Sequence, residues 1–99
     1  MDLSAMQNNA EAATGLLKSL ANPSRLLVLC ALVSREHTVG ELEVLTGLSQ
    51  SAISQHMARL REAGIVDTRR DAQRIFYSLD NPEVRAVLET LHDIYCADA

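Results

Sequence analysis

The stretch TVGELEVLTGLSQSAISQHMARLREAG, residues 38–64, decides the fold of this chain. Thr38 and Glu41 are spaced as a capping box, in which each side chain satisfies a backbone donor beside the other, and they predict a short helix that ends at Thr46. A three-residue turn joins this helix to a second one, which we predict from Gln50 to Ala63. Two helices joined in this way predict a helix-turn-helix.

The second helix has defined ends and two unlike faces. Ser49 suits its N-cap, and Gly64 suits the position just beyond its C-terminus. Ile53, Met57 and Leu60 recur on one face and predict contact with a core. The rest of the surface is polar and nearly uncharged, and consists of Gln50, Ser51, Ser54, Gln55, His56 and Arg59. A helix that only faces solvent usually carries Glu and Lys pairs, whereas amides and hydroxyls can read base edges. We therefore interpret this helix as one that reads DNA.

A change of period from 3.6 to 2 after Gly64 predicts a β-hairpin. Residues 65–70 and 74–79 are the two predicted strands, and residues 71–73 connect them. The tip is basic, because it carries Arg69, Arg70 and Arg74. Such a tip could hold phosphates or reach into a minor groove. A helix-turn-helix followed by this hairpin predicts a winged helix.

Three further helices complete the predicted order α-α-α-α-β-β-α, which is mainly α with one small hairpin. The first covers about residues 9–20 and follows a segment, residues 1–8, that we expect to be flexible. The second runs from Pro23 to Ser34 and is apolar on nearly every side, so we expect little of it to contact water. The last begins at Pro82 and carries an apolar stripe of Val84, Val87, Leu88, Leu91 and Ile94.

Length and composition indicate a single domain, residues 1–99, that contains 47 % apolar residues. A chain of this size is marginally stable alone, so we expect a homodimer formed by the first and last helices. Two-fold symmetry would place two reading helices in successive major grooves of an inverted-repeat operator in double-stranded DNA.

The longest apolar run, residues 26–33, is far shorter than the ~20 residues of a membrane helix. The N-terminus also lacks the features of a secretory signal, so we expect a cytoplasmic protein without membrane contact.

The net charge of −4 hides a gradient along the chain. Residues 46–79 carry five basic and three acidic side chains, whereas residues 80–99 carry one basic and five acidic side chains. The basic part coincides with the predicted reading helix and hairpin, and all its cations are arginines, whose planar group suits phosphates and guanine edges. This gradient is compatible with DNA as a partner, but arginine clusters of this size are also common on solvated, ion-paired surfaces, so the local pattern must decide between the two. The acidic total is the only support for an alternative, a winged-helix protein-interaction module that does not bind DNA.

Three segments resemble the ArsR/SmtB family of bacterial repressors: LKSLANPSRL at 17–26, LSQSAISQHM at 48–57 and LREAGIV at 60–66. The resemblance extends over residues 12–96. It implies a dimeric winged helix that represses its own operon until an inducer binds. It also implies that Gln50, Ser51, Ser54 and Gln55 face bases, and that phosphates are held by His56, Arg59 and the wing arginines Arg69, Arg70 and Arg74.

The two cysteines, Cys30 and Cys96, fall in the second and last predicted helices, 66 positions apart. A cytoplasmic chain is not expected to use them as a structural disulfide, so the residues alone allow an ordinary core cysteine and an incidental tail cysteine. One cysteine in each of these helices resembles the sulfide-responsive SqrR/BigR/YgaV/HlyU branch of the family, whose dithiol reacts with persulfides and polysulfides. The resemblance implies a redox-sensing pair that forms a di- or polysulfide bridge and releases DNA. His92 lies one turn before Cys96 and is either a stabiliser of its thiolate or a plain surface histidine.

Metal-ligating residues are sparse. The third helix has no cysteine in residues 39–45, and the last helix offers only His92 with Asp93, so we expect no metal site and no cofactor. A responder to a metal, an arsenical or haem that uses Cys30, Cys96 or His92 remains the alternative inducer class. A thiol oxidoreductase would normally show a Cys-x-x-Cys pair, which is absent, so we expect no enzyme.

Overall fold

The computed structural model describes residues 1–97 and contains five helices and one two-stranded antiparallel sheet in that range. The elements are α1 (Leu3–Leu20), α2 (Pro23–Ser34), α3 (Val39–Thr46), α4 (Gln50–Glu62), β1 (Val66–Asp71), β2 (Arg74–Leu79) and α5 (Pro82–Cys96). The predicted order α-α-α-α-β-β-α and the predicted winged helix-turn-helix are confirmed.

Helix α1 begins six residues earlier than predicted. Asp2 accounts for the early start, because its side chain accepts a hydrogen bond of 3.1 Å from the backbone N–H of Ala5 and caps the helix. Residues 3–8 are polar or exposed and have no apolar stripe, so the periodicity of the sequence did not reveal them. The flexibility expected for residues 1–8 stays a prediction, since an exposed helical turn does not measure motion.

The core lies where α2, α3, α4 and α5 meet under the hairpin. Its fully buried members are Val28, Leu29, Leu32, Leu42, Ile53, Met57, Leu60, Val84 and Leu88. The expectation that little of α2 contacts water is wrong, because Leu27 is 53 % exposed and Cys30 is also exposed. A helix in so small a chain cannot be covered on every side by its own molecule. Helix α2 therefore has an uncovered strip that is apolar and contains a thiol.

The first strand of the hairpin begins and ends one residue later than predicted, and the turn that joins the two strands is one residue shorter. Asp71 pairs with Arg74, which leaves only Ala72 and Gln73 in the turn. The outer edge of β2 is also paired: His37 and Tyr77 exchange backbone hydrogen bonds of 3.0 and 2.8 Å. The wing is thus joined to the connection between α2 and α3.

No single helix among residues 1–97 is long and apolar enough to cross a membrane. Helices α1 and α2 reach the length and apolar composition of a membrane span only when they are counted as one segment, and the chain bends by 94° between them.

Candidate nucleic-acid interface and thiol site

Helix α4 is held with one face in the core and the other outward. Ser49 caps it by accepting a hydrogen bond of 3.2 Å from the backbone N–H of Ala52. Gly47, at φ 75°, and Gly64, at φ 74°, make the turns at either end in the left-handed region that favours glycine. The predicted inner face of Ile53, Met57 and Leu60 is fully buried. On the other side, Gln50, Ser51, Ser54, Gln55 and Arg59 are exposed and His56 is half-buried.

His56 contacts the guanidinium of Arg25, and sequence reasoning did not predict this contact. The Nε of Arg25 donates a weak hydrogen bond of 3.5 Å to the Nδ1 of His56, and Nη1 of Arg25 donates to the Ser19 carbonyl at 3.2 Å. Burial lowers the pKa of His56 below its ordinary value of 6.5, and the charges of Arg25 and Arg59 lower it further. A neutral imidazole that accepts at Nδ1 carries its proton on Nε2. His56 therefore carries an N–H donor at Nε2 rather than a positive charge.

Two wing arginines are engaged with carboxylates. Arg69 makes a bidentate contact with Glu36, including hydrogen bonds from Nε at 3.1 and 3.2 Å, and its guanidinium lies 4.6 Å from the centroid of the Phe76 ring. Arg74 lies over the same ring at 4.8 Å. The hydrogen bond with Arg69 lowers the pKa of Glu36, so this pair is charged at neutral pH.

Arg74 and Arg70 differ in their partners. Nη2 of Arg74 is 3.8 Å from Oε2 of Glu41, and Glu41 also closes the capping box of α3 by accepting a 2.9 Å hydrogen bond from the Thr38 N–H. That backbone hydrogen bond is the first cause of the lowered pKa of Glu41. Arg70 donates only to the Ala72 carbonyl, at 3.1 Å, within the described residues. Of the three wing arginines, Arg70 is therefore the one without an acidic partner in this range.

Glu41 also borders a buried histidine that the sequence did not single out. His37 is 4 % exposed, and its Nδ1 lies 3.5 Å from Oε1 of Glu41 without a hydrogen-bond partner in the described part of the chain. It sits at the start of α3, next to the backbone bridge to β2. His37 thus lies where the helix-turn-helix and the wing are joined.

The two cysteines are free thiols on neighbouring helices. Cys30 is exposed on α2, and Cys96, the last residue of α5, is half-buried. Partial burial raises the pKa of Cys30, and the charge of Cys96 raises it further. Helices α2 and α5 pack against each other. The structure therefore places on neighbouring helices two cysteines that are 66 positions apart in the sequence.

A cavity of about 360 Å³ opens between α2 and α5 beside Cys30. His92 lines this cavity rather than forming a hydrogen bond to Cys96 among the described residues. Its other lining residues are Val33, Ser34, Leu88, Glu89 and Asp93. Across residues 1–97, no three His, Cys, Asp or Glu side chains come together as a metal site. The arrangement places the Cys30 thiol at the edge of a small cavity.

Sequence reasoning identified the outer face of α4, the wing arginines and the cysteines, but it missed Arg25, Glu36 and His37 as their neighbours. Nothing in the local pattern shows that Glu36 reaches Arg69, 33 residues later, or that Arg25 reaches His56, 31 residues later.

Comparison with known proteins places this geometry among bacterial regulators. Residues 22–68 match the family model described as "Bacterial regulatory protein, arsR family". The chain is 50 % identical over 96 residues to the HTH-type transcriptional regulator YgaV of Escherichia coli K12, with 96 % of this chain and 97 % of that protein covered. It is also 50 % identical over 96 residues to the transcriptional activator HlyU of Vibrio cholerae, with 97 % and 89 % covered. The crystal structure of the transcriptional repressor BigR from Xylella fastidiosa superimposes with a TM-score of 0.92 at 41 % identity, covering 97 % of this chain and 98 % of that one.

Proposed function

This chain belongs to the ArsR family of bacterial regulatory proteins, and from that membership we propose a homodimeric, cytoplasmic repressor whose Cys30 and Cys96 sense reactive sulfur species. It is a transcriptional regulator of a family that binds DNA, and its relatives are regulators rather than enzymes. The observation that carries the proposal is one free thiol on each of two helices that pack together, Cys30 on α2 and Cys96 on α5, with Cys30 at the edge of a cavity between them. Repression is proposed because BigR carries that description, although HlyU is described as an activator.

The proposed DNA surface is the outer face of α4 together with the wing. Gln50, Ser51, Ser54 and Gln55 are exposed, short and uncharged, which suits hydrogen bonding to base edges. His56 would donate from Nε2 to a phosphate, and the arginines Arg59, Arg69, Arg70 and Arg74 would provide the cationic contacts. Arg69 and Arg74 would have to exchange Glu36 and Glu41 for phosphate. Exposed ion pairs are weak, so such an exchange is feasible.

The proposed dimer would cover apolar side chains that are exposed at α1 and α5. Leu3 and Leu17 are exposed on α1, and Ile94 and Tyr95 are 64 % and 80 % exposed on α5. Apolar surface of this kind is costly in water and is typical of a protein contact. A two-fold axis through these helices would present two copies of α4 to one inverted repeat.

DNA binding is tested by selecting sequences from a random duplex library with the reduced protein. The proposal expects an inverted repeat whose half-sites are about one helical turn apart, bound with an affinity that falls as salt rises. Sedimentation of the free protein should give a dimer. A monomer that selects no sequence, or binding without salt dependence, would contradict the proposal and favour a protein-interaction module.

The proposed sensing reaction is thiol exchange with sulfane sulfur. One of the two cysteine thiolates attacks the central sulfur of a trisulfide R–S–S–S–R, and one RS⁻ leaves and takes up a proton. The thiolate of the other cysteine then displaces the second RS⁻, which leaves a Cys30–S–S–S–Cys96 bridge. The dithiol loses two electrons and the donor gains two. Because a bridge with an extra sulfur spans farther than a disulfide, it requires less movement of α2 and α5.

Intact mass spectrometry tests the reaction without knowledge of the operator. Exposure of the reduced protein to polysulfide should add one sulfur and remove two hydrogens within a monomer. Cys30→Ser and Cys96→Ser should each abolish this product, and peroxide should give less bridging than polysulfide does. If both single variants react as the wild type does, the two thiols act independently and the dithiol proposal fails.

A further inference from the structure

The cavity beside Cys30 has an uneven chemical lining. Val33 and Leu88 form apolar wall, and Glu89, His92 and Asp93 from α5 form the polar part. Its volume of about 360 Å³ is near the lower end of ordinary small-molecule sites. A small sulfur donor that occupies this cavity contacts these side chains beside the Cys30 thiol.

The charges at the cavity are negative. Glu89 and Asp93 line it, and neither forms an ion pair among residues 1–97. No Lys or Arg lines it within the described range. The nearest cation on α5, Arg85, donates a 2.8 Å hydrogen bond to the Val33 carbonyl and so is committed to the C-terminal end of α2. A donor entering here therefore approaches two carboxylates whose charge no Lys or Arg of the described lining offsets.

We propose that this cavity makes the thiol pair selective for cationic or uncharged low-molecular-weight sulfane-sulfur donors over anionic ones. The inference rests on the proposed sensing function and specifies the chemical class of donor. A donor with an aminoethyl group would place its ammonium beside Glu89 and Asp93, whereas a carboxylate in the same position would be repelled. For donors of equal size, the two carboxylates produce about a tenfold difference in rate between cation and anion at low salt.

The test compares three trisulfides of similar size: those of cysteamine, which is cationic, of N-acetylcysteamine, which is uncharged, and of 3-mercaptopropionate, which is anionic. The rate of bridge formation is followed by intact mass at one pH. Each rate is divided by the rate of the same trisulfide with an uncharged free thiol, which removes the reagent's own reactivity. The expected order is cationic, uncharged, anionic, with a spread of about tenfold that shrinks in 1 M salt.

The Glu89→Gln/Asp93→Asn double variant should lose most of that spread. Both side chains are exposed, so circular dichroism should show the wild-type fold. Removing two negative charges will also favour the Cys30 thiolate, but that change raises all three rates alike and leaves their ratios unaltered. Glu43→Gln on α3, away from the cavity lining, is the matched control and should keep the spread.

The outcomes separate the selectivity from the sensing reaction. Equal normalised rates for the three donors, a faster anionic donor, or an unchanged spread in the double variant overturns the selectivity while bridge formation stands. A failure of every donor to form the bridge overturns the sensing function, and the selectivity with it.

Discussion

The outer face of α4 and the wing were both predicted to contact DNA, yet their side chains are held in different ways. On α4, Gln50, Ser54 and Gln55 are exposed and form no side-chain hydrogen bond within the described residues. On the wing, Arg69 and Arg74 pair with Glu36 and Glu41 and flank the Phe76 ring. The helix presents side chains that are ready for a partner, whereas Arg69 and Arg74 of the wing must each first give up a carboxylate.

This difference follows from the structures that carry the two sets of side chains. Helix α4 is fixed by its buried inner face, so its outer side chains need no further support. The hairpin has only two strands, and such a unit needs other contacts to be stable. Its ties to residues 36–41 provide them. The same arginines are therefore used for wing stability and are available for DNA only by exchange.

The largest effect should come from a comparison of substitutions on the buried and exposed faces of α4. Met57→Ala removes a fully buried side chain and should lower the free energy of unfolding by about 2–5 kcal/mol in urea denaturation. Gln55→Ala, two residues away on the exposed face, should leave stability within about 0.5 kcal/mol but weaken binding to selected DNA by about 1–3 kcal/mol. Equal losses of stability in the two variants would contradict the two-faced description.

Releasing a wing arginine should have a smaller effect. Glu36→Gln frees Arg69, and because an exposed ion pair is worth about 0.2–1 kcal/mol, DNA affinity should rise by up to about fivefold. Fluorescence anisotropy measures the change, with Glu43→Gln as the control for removing one distant negative charge. The gain should disappear in an Arg69→Ala background. Weaker binding in Glu36→Gln would instead mean that Glu36 positions the wing for DNA.

His56 predicts a pH dependence of stability. Its pKa in the folded chain is lowered below 6.5, so at mildly acidic pH the unfolded chain binds more protons than the folded one. Stability should therefore fall as pH decreases from 7.5 to 5.5, and His56→Gln should reduce this slope. Glu36 and Glu41 have lowered pKa values and lose their contributions only at more acidic pH. An unchanged slope in His56→Gln would show that burial and the charges of Arg25 and Arg59 do not hold the imidazole neutral.

The last effect is also small and concerns the tip of the wing. Ala72 has φ 56°, a left-handed conformation that Asn adopts more readily than Ala. Ala72→Asn should raise the free energy of unfolding by about 0.5–1 kcal/mol, seen as a higher melting temperature. Gln73→Asn is the matched control at the neighbouring turn residue and should give no gain.

Local signals allowed most of the fold to be predicted. Caps such as Asn22 and Ser49, and the glycine after α4, act within a few residues, and each predicted helix end that they mark is close to the observed one. The start of α1 was missed because its first turns bury no apolar side chain. The exposure of Cys30 was missed because a helix that is apolar all round has no periodicity to show which side is uncovered.

The site was predictable as a set of residue types but not as a set of contacts. Arg25 with His56, and Glu36 with Arg69, join residues 31 and 33 positions apart, and no local spacing encodes such pairs. The cavity beside Cys30 likewise depends on how α2 packs against α5. Charge patterning indicated where the arginines cluster, whereas only the structure showed which carboxylates they contact.

The central claim, that bridging the two thiols releases DNA, is tested most directly by measuring the affinity of the purified bridged protein for the DNA selected by the reduced protein. The account predicts that the bridged form binds at least about tenfold more weakly, which corresponds to about 1.4 kcal/mol, that a reductant restores binding, and that Cys30→Ser/Cys96→Ser is insensitive to polysulfide. A bridged protein, verified by mass, that binds the same DNA as tightly as the reduced protein would contradict it.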